Sequence, residues 1–512
     1  MSDLTFPRLL AQAISSLSVA TLQGVALLAI FYISITSFYN LYLHPLSRFP
    51  GPKLAAISRL PYLRAQLGGR LPQWMHGLHT FYSSDVVRMA PDALSFTNAS
   101  AWKEMYAHHQ GRPNFGKDFI IYGRAGNDAA SVLTAGDADH SRMRRLLAHA
   151  FSEKALKSQE QLLLDHVAKL IRGLHGEIDS AANGHVDMVK WLKWVTFDII
   201  GDLSFGIKFD SLTNQEYHPW ASIIQDHVKS VVFLSAVRRY PILDKMAQIL
   251  MPPSVRKKRA SHLASISDKV DERLNSTTER PDFMTYIQRH NDEKGMSLRE
   301  IKANMSVFIG AGSETVATTL CGAVYYLGKN PHALVKAQNE VRDAFRASEG
   351  INMASTLDLP YLSAVLAESG RVYPGALAGQ PHIAPSGGAS VCGQWIPEGT
   401  RVQMSQWAVY QSTANFSQPH RFIPERWLGD EGFSKDQKEA YQPFSVGPRN
   451  CIGKNLAQAE LRLILANFLW AFDFQICEST DRDWSDQDVY LRWQKKPLIV
   501  KLAKSGVHLR AE

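Results

Sequence analysis

The ten residues FSVGPRNCIG, Phe444 to Gly453, constrain this 512-residue chain more than any other stretch. They set one cysteine, Cys451, in a Gly- and Pro-restricted loop just ahead of apolar residues at helical intervals: Ile452, Leu456, Ala459, Leu463 and Trp470. Cys451 is therefore expected at a helix N-terminus, where unpaired backbone N–H groups and the positive end of the helix dipole favour a thiolate. Gly447 and Gly453 are expected where a Cβ would obstruct the backbone. A lone thiolate without a CxxC partner suits one axial bond to a flat macrocycle better than a four-ligand zinc site. A buried free cysteine acting as a small hydrophobe is the ordinary alternative. The company it keeps argues against that: Phe444, Gly447, Arg449, Cys451 and Gly453 stand at fixed spacing.

That spacing, F-x-x-G-x-R-x-C-x-G, resembles the haem-binding loop of the cytochrome P-450 family of haem-thiolate monooxygenases, with every specified position matched. The resemblance runs from the segment HPLSRFPGPKLAA (His44 to Ala56) to the C-terminal tail. It implies haem b with Cys451 as axial thiolate, a ligand that pushes electron density onto iron and favours O–O cleavage. It also implies reductive activation of dioxygen and insertion of one oxygen atom into an unactivated C–H bond of a hydrophobic small molecule. Electrons would come from NADPH through a membrane-bound, flavin-containing reductase, because this chain has no flavin or nicotinamide motif; cytochrome b5 is a second expected partner. Lys454 and Arg462 are candidate contacts for an acidic reductase face. Two other classes stay open at this point: a haem-thiolate isomerase or dehydratase working without external electrons, and a haem sensor or electron carrier.

Four cysteines, Cys321, Cys392, Cys451 and Cys477, lie far apart, which argues against a disulfide framework and for a reducing compartment. The net charge of +8 suits anionic lipid or an acidic partner, and equally a plain solvated surface. No basic–aromatic interleaving points to nucleic acid.

No Asp, Glu, Lys or Arg occurs between Arg8 and Arg48, and Leu17 to Leu43 exceeds the roughly 20 residues that cross a bilayer. A cleaved signal peptide competes with this reading, but the apolar run is long and no small-residue cleavage site closes it; a core helix is the other alternative. Arg48, Lys53, Arg59, Arg64 and Arg70 follow the run, against Asp3 and Arg8 before it, so the body is expected on the cytosolic side. The organisation is then a membrane anchor over 1–48, a stiff Pro/Gly hinge over 49–53 and one domain over 54–512. The hinge resembles that of microsomal, particularly fungal, members, which implies a single-pass protein of the endoplasmic reticulum membrane. Helical periodicity dominates the rest, with strand-like pieces at Asp85 to Phe96 and Ala389 to Met404, so the fold is expected to be mainly α with a small β portion.

A long helix is expected from about Ser297 to Leu327, opened by a capping box of Ser297 and Glu300 and closed by Gly328 with Pro331. It contains Gly310-Ala311-Gly312-Ser313-Glu314-Thr315. Interior glycines cost about 1 kcal/mol each, so either close helix packing or the approach of a planar cofactor must offset them. AGSETV resembles the family's oxygen-activation motif A/G-G-x-D/E-T-T/S, departing at Val316. By that resemblance Thr315 and Glu314 deliver protons, and Ala311 lies against the haem.

Glu368 and Arg371 share a helical face at i, i+3, ordinarily a surface salt bridge of little weight. In the family such a pair is buried and joined by an Arg of a P-E-R-[FW] segment. Here Pro424-Glu425-Arg426-Trp427 matches, so Glu368, Arg371 and Arg426 are expected to form a structural triad. Haem propionates need cations. By resemblance to a [WH]-x-x-x-R element these are Arg144 and His140, with Arg449 from the cysteine loop. His382 stands where relatives carry a propionate-binding Arg, which would make haem affinity mildly pH-dependent. Pocket-lining candidates by position are Phe115–Tyr122, Phe205–Leu250, Val307 and Ala376–Gln380. The stretch Asp137 to Leu156 is similar to fungal members that decorate secondary metabolites such as terpenoids, polyketides and alkaloids.

Overall fold

The apolar N-terminal run folds as a helix, Val19–Phe38, extended by a π-helical turn at Tyr39–Leu43. In the computed structural model, which describes residues 19–111, 113–122, 129–180, 184–217, 228–276, 278–377, 379–480 and 483–506, none of Gln23–Leu43 is buried. That 21-residue helical stretch is long and apolar enough to cross a membrane. Asp3, Arg8 and Leu17, used in the sequence argument, lie outside the described residues.

The 49–53 segment differs from the expected hinge. Leu46 and Phe49 are buried in a cluster with Val86, Leu94, Phe96 and Trp102. The Arg88 N–H donates to the Pro50 carbonyl at 2.7 Å. A Cβ on Gly51 would lie 2.2 Å from the Arg88 carbonyl oxygen. The Pro/Gly stretch is thus docked on the sheet instead of standing apart from the body.

Twelve short strands form four small sheets among the described residues. β1 (Val86–Ala90), β2 (Ala93–Phe96), β3 (Gly116–Lys117), β5 (His382–Ile383) and β8 (Arg401–Met404) make the largest, in the order β1-β2-β8-β5-β3. β2 and β8 pair in parallel, and the other neighbours are antiparallel. β4 (His185–Asp187), β9 (Phe472–Ile476) and β12 (Ile499–Lys504) form a second sheet. β6 (Ala389–Val391) with β7 (Gln394–Ile396) and β10 (Val489–Tyr490) with β11 (Arg492–Trp493) are hairpins.

Helices make up the rest, and one organises them. Leu298–Lys329 carries the expected capping box, with Ser297 Oγ accepting from the Glu300 N–H and the Glu300 carboxylate accepting from the Ser297 N–H. It runs through Gly328, where a Cβ would collide with Ile476 at 2.5 Å, so this glycine permits packing on β9 and ends nothing. Pro331 starts the next helix. The central helix packs on Met188–Phe205, on Pro360–Val372 and on Lys454–Ala471, whose buried faces are mainly apolar but also carry Asp198, Asp202, Glu368, Arg371 and Glu460. Gly312 serves that packing, because a Cβ there would meet Ile200 at 2.7 Å, while Gly310 faces open space. Close helix contact accounts for one glycine of the pair only.

Candidate active site

Cys451 sits where the loop gives way to the Lys454–Ala471 helix, whose N-cap is Gly453. Its N–H donates to the Phe444 carbonyl at 2.8 Å, closing the loop. Gly447 has φ +78°, and a Cβ on it would lie 2.0 Å from the Tyr106 carbonyl oxygen. Gly453 has ordinary backbone angles and room for a Cβ, so the steric expectation holds at Gly447 and fails at Gly453. The helix terminus does not by itself produce a thiolate. Cys451 is exposed on the cavity wall, but desolvation by the surrounding protein still pushes its thiol up against the Gly453 N–H and the Arg144 charge.

Cys451 lines a partly open cavity of about 770 Å³ together with Phe444, Ala311 and Thr315. Val307, Val316, Ala376 and Gln380 also line it. Lys117 represents the 115–122 loop on the wall, and among the described residues none of Phe205–Leu250 reaches it. Trp102 contributes too.

Cations gather on one part of the wall. Arg144 reaches across to Asn450, donating to its backbone and side-chain oxygens. Arg449 donates through Nη2 to the Ala135 carbonyl at 2.9 Å and to Asp137 at 2.8 Å. Its Nη1 is buried without a partner, a cost of about 1–3 kcal/mol unless an anion meets it. His140 lines the same region, and burial with the charges of Arg449, Arg144 and Lys117 pulls its pKa down to about 4. Its ring is thereby held toward the neutral, N–H-donating form. Lys117, which sequence reasoning missed, completes the group. A single soft sulfur, an apolar wall and a cation cluster with an unused donor fit haem b: one ligand for iron, apolar contacts for the macrocycle and charge for two propionates.

His382 differs from its expectation. It is buried on β5, its Nδ1 lies 3.0 Å from the Gln380 carbonyl, and its ring stands edge-on to Tyr106 at 4.6 Å. Burial is the main cause that lowers its pKa to about 4. The ring is thereby held toward the neutral form, and it does not line the cavity.

On the central helix, Thr315 faces the cavity, and its Oγ1 donates to the Ala311 carbonyl at 2.8 Å. Its lone pairs stay free to accept. Glu314 points elsewhere. It does not line the cavity, and its carboxylate accepts from Lys495 at 2.8 Å and pairs with Lys193 at 3.2 Å, with Arg492 at 3.9 Å. Burial would raise its pKa, but the three cations prevail and hold it well below the usual carboxylate range. Glu314, expected beside Thr315 at the site, is therefore a caged carboxylate off the cavity wall. The lysines that cage it lie far away in sequence and gave no local signal.

Behind the cavity, Glu368, Arg371 and Arg426 are each at most 1% exposed. The Glu368 carboxylate accepts from Arg371 Nε and Nη2 at 2.9 and 2.8 Å, and from Arg426 Nε at 3.1 Å. The Trp427 indole N–H and the Ile423 N–H, both at 2.9 Å, fill its remaining positions. Arg426 also pairs with buried Asp436. Trp427 and Asp436 extend the expected triad into a five-residue network.

Glu460, two turns along the helix after Cys451, is a further buried acid on the cavity wall, with Oε2 unpartnered. Burial raises its pKa to about 8. A carboxyl raised in the fold adds stability that is fully present below its ordinary value and is lost as pH climbs to about 8. Glu460→Gln has no proton to lose, so its stability relative to the parent should rise between pH 5 and pH 8. The expected gain is on the order of a few kcal/mol, read as a widening difference in Tm. A pH-independent difference would mean that Glu460 is already ionised.

Arg462, an expected reductase contact, is half-buried with its Nε unpartnered in the interior; Lys454 is exposed. The family model described as Cytochrome P450 matches residues 60–502. The chain is 42% identical over 480 residues to the cytochrome P450 monooxygenase lcsI of Purpureocillium lilacinum, spanning 93% of this chain and 92% of that one. It is 40% identical over 504 residues to averantin hydroxylase of Dothistroma septosporum, spanning 98% and 94%. To trichothecene C-15 hydroxylase of Fusarium sporotrichioides it is 41% identical over 476 residues, spanning 92% and 96%. Monooxygenase chemistry, with haem-thiolate iron and a reductase supplying electrons, therefore prevails over the isomerase and carrier alternatives. With a cysteine, an apolar wall and a cluster of cations at one cavity, and this likeness along nearly its whole length, the chain belongs to the cytochrome P450 family.

Proposed function

We propose that this enzyme hydroxylates or otherwise oxidises a hydrophobic precursor of a fungal secondary metabolite, with Cys451 as the axial ligand. The observation that carries this reading is that Cys451 shares one cavity with Ala311 and Thr315 of the central helix. Bound haem supplies the redox chemistry by which dioxygen is activated. Arg144 and Arg449 would hold the group by its propionates, and Phe444 with Gly447 fixes the loop that presents the sulfur. Val307, Ala311 and Val316 exclude bulk water from the reacting side. Thr315 Oγ1 anchors its own hydrogen on the Ala311 carbonyl, which leaves its lone pairs able to accept from a water and so to hold a proton source at the cavity wall. Glu368, Arg371 and Arg426 carry no step and keep the scaffold behind the haem rigid.

The substrate class rests on relatives whose names specify averantin and trichothecene oxidation. Placement in the endoplasmic reticulum membrane, with the body cytosolic, is supported by the unburied apolar helix and the arginines and lysine after it. Cytochrome b5 is a second electron donor in this reading.

Expression with a reductase in microsomes, followed by exposure to terpenoid, polyketide and alkaloid precursors, tests the proposal. The expected products gain one oxygen or lose two hydrogens in a strictly NADPH-dependent manner. Thr315→Ala should lower product formation about 10-fold or more while NADPH consumption continues, because it removes the hydroxyl and leaves the sulfur untouched. Equal coupling of NADPH to product in parent and variant would remove Thr315 from proton handling.

A further inference from the structure

We propose that Arg88 of β1 locks the end of the apolar N-terminal helix to the body, so that the body does not swing on a hinge and presents one fixed face to the lipid headgroups. The proposal rests on the reading above, in which that helix spans the membrane.

The helix ends on a missing donor. In the π-helical turn Tyr39–Leu43 the His44 N–H donates to the Tyr39 carbonyl at 2.8 Å. The next carbonyl in that pattern, that of Asn40, would take its hydrogen from residue 45, which is Pro45 and has none. Arg88 supplies it: Nη1 donates to the Asn40 carbonyl at 2.7 Å, while Nη2 donates to the Pro91 carbonyl at 2.7 Å. A guanidinium also suits the negative end of a helix dipole. Arg88 is only 2% exposed, both acceptors are uncharged, and its Nε is buried without a partner. Burying a cation on such terms is costly, and the capped helix end is what it serves. The same residue holds the following segment, through its N–H to Pro50 and its carbonyl against Gly51. Two further elements flank the joint. The helix Lys53–Ile57 packs on both the apolar helix and its π-turn, and Arg48 donates to the Trp395 carbonyl of β7. Each carries an exposed large apolar side chain, Leu54 and Trp395. Tryptophan is favoured at the headgroup level, so these two mark the face held against lipid.

The full-length holoprotein in microsomes tests this by two readouts: trypsin cleavage after Arg48, and the decay of polarised absorption after flash photolysis of the carbon monoxide complex, which follows tilting of the body. Arg88→Met should be cut about 10-fold faster or more, the weight of one hydrogen bond from a charged donor. Its anisotropy should fall to a lower plateau than that of the parent, because the body gains freedom to tilt. If Arg88→Met does not fold, Gly51→Ala is read in its place, since its Cβ would force the segment off β1. Equal cleavage and equal plateaus in parent and variant overturn the lock. Faster cleavage with an unchanged plateau overturns it too, because it would mark a loosened segment under a body held by other means. Alkaline carbonate extraction separates the two levels. Protein that stays in the membrane while the lock fails leaves the spanning helix standing, and parent protein that washes out removes both.

Discussion

Cys451→Ala is expected to reduce substrate oxidation to background in microsomes that still contain folded protein. Among the four cysteines, Cys451 alone lines the cavity. Cys321 is fully buried, and desolvation pushes its thiol far toward the protonated form. In the absence of metal, burial also raises the Cys451 thiol, and the Gly453 N–H and Arg144 supply only part of what the anion needs. Iron bound at the sulfur would favour the thiolate further, so ligation and ionisation would be coupled. Cys451→Ser keeps the shape of the side chain but replaces a soft, electron-releasing donor with a hard one, and should be equally inactive. Cys477→Ser, on a residue away from the cavity wall, should retain full turnover. Substantial NADPH-dependent product from Cys451→Ala would assign the axial bond to another side chain.

Glu368→Ala should give little or no haem-loaded protein. It removes one carboxylate and leaves two buried guanidiniums, those of Arg371 and Arg426, facing the space it held. Breaking a buried pair costs about 3–5 kcal/mol, against a total stability of roughly 5–15 kcal/mol for a folded domain. Two arginines, the Trp427 indole and the Ile423 amide lose their acceptor together. Asp436 still neutralises Arg426, but the acceptors left to Arg371 are backbone carbonyls such as those of Pro419 and Arg421. The ratio of haem to total expressed protein measures the effect, and a normal ratio would mean that the network is dispensable.

Features written in adjacent residues were legible from the sequence. The cysteine loop is one ten-residue string, the capping box of Ser297 and Glu300 is one turn, and Glu368 with Arg371 is one helical step. Each works through local geometry that a spacing pattern encodes. Interactions made by chain crossing were not legible. Lys117 lies on a two-residue strand with no periodicity to announce it, and only pairing with β5 brings it beside the cation cluster. Glu314 looked like a free acid because Lys193 and Lys495 reach it from elements remote in the chain. Asp436 joins Arg426 from a loop with no motif of its own. The 49–53 segment illustrates the same limit. Proline and glycine rightly indicate an irregular backbone, but Gly51 is needed for close approach to Arg88, which docks the segment instead of freeing it. Composition likewise could not separate the two roles of the central-helix glycines, one packed on Ile200 and one open.

Dithionite reduction of the membrane-bound holoprotein followed by carbon monoxide probes the sulfur–iron bond with no substrate needed. The expected difference spectrum shows the strongly red-shifted Soret band of a thiolate-ligated haem, present in the parent and lost in Cys451→Ser. A folded, haem-containing parent whose band stays at the unshifted position of imidazole-ligated haem would contradict ligation by Cys451, and the function built on it.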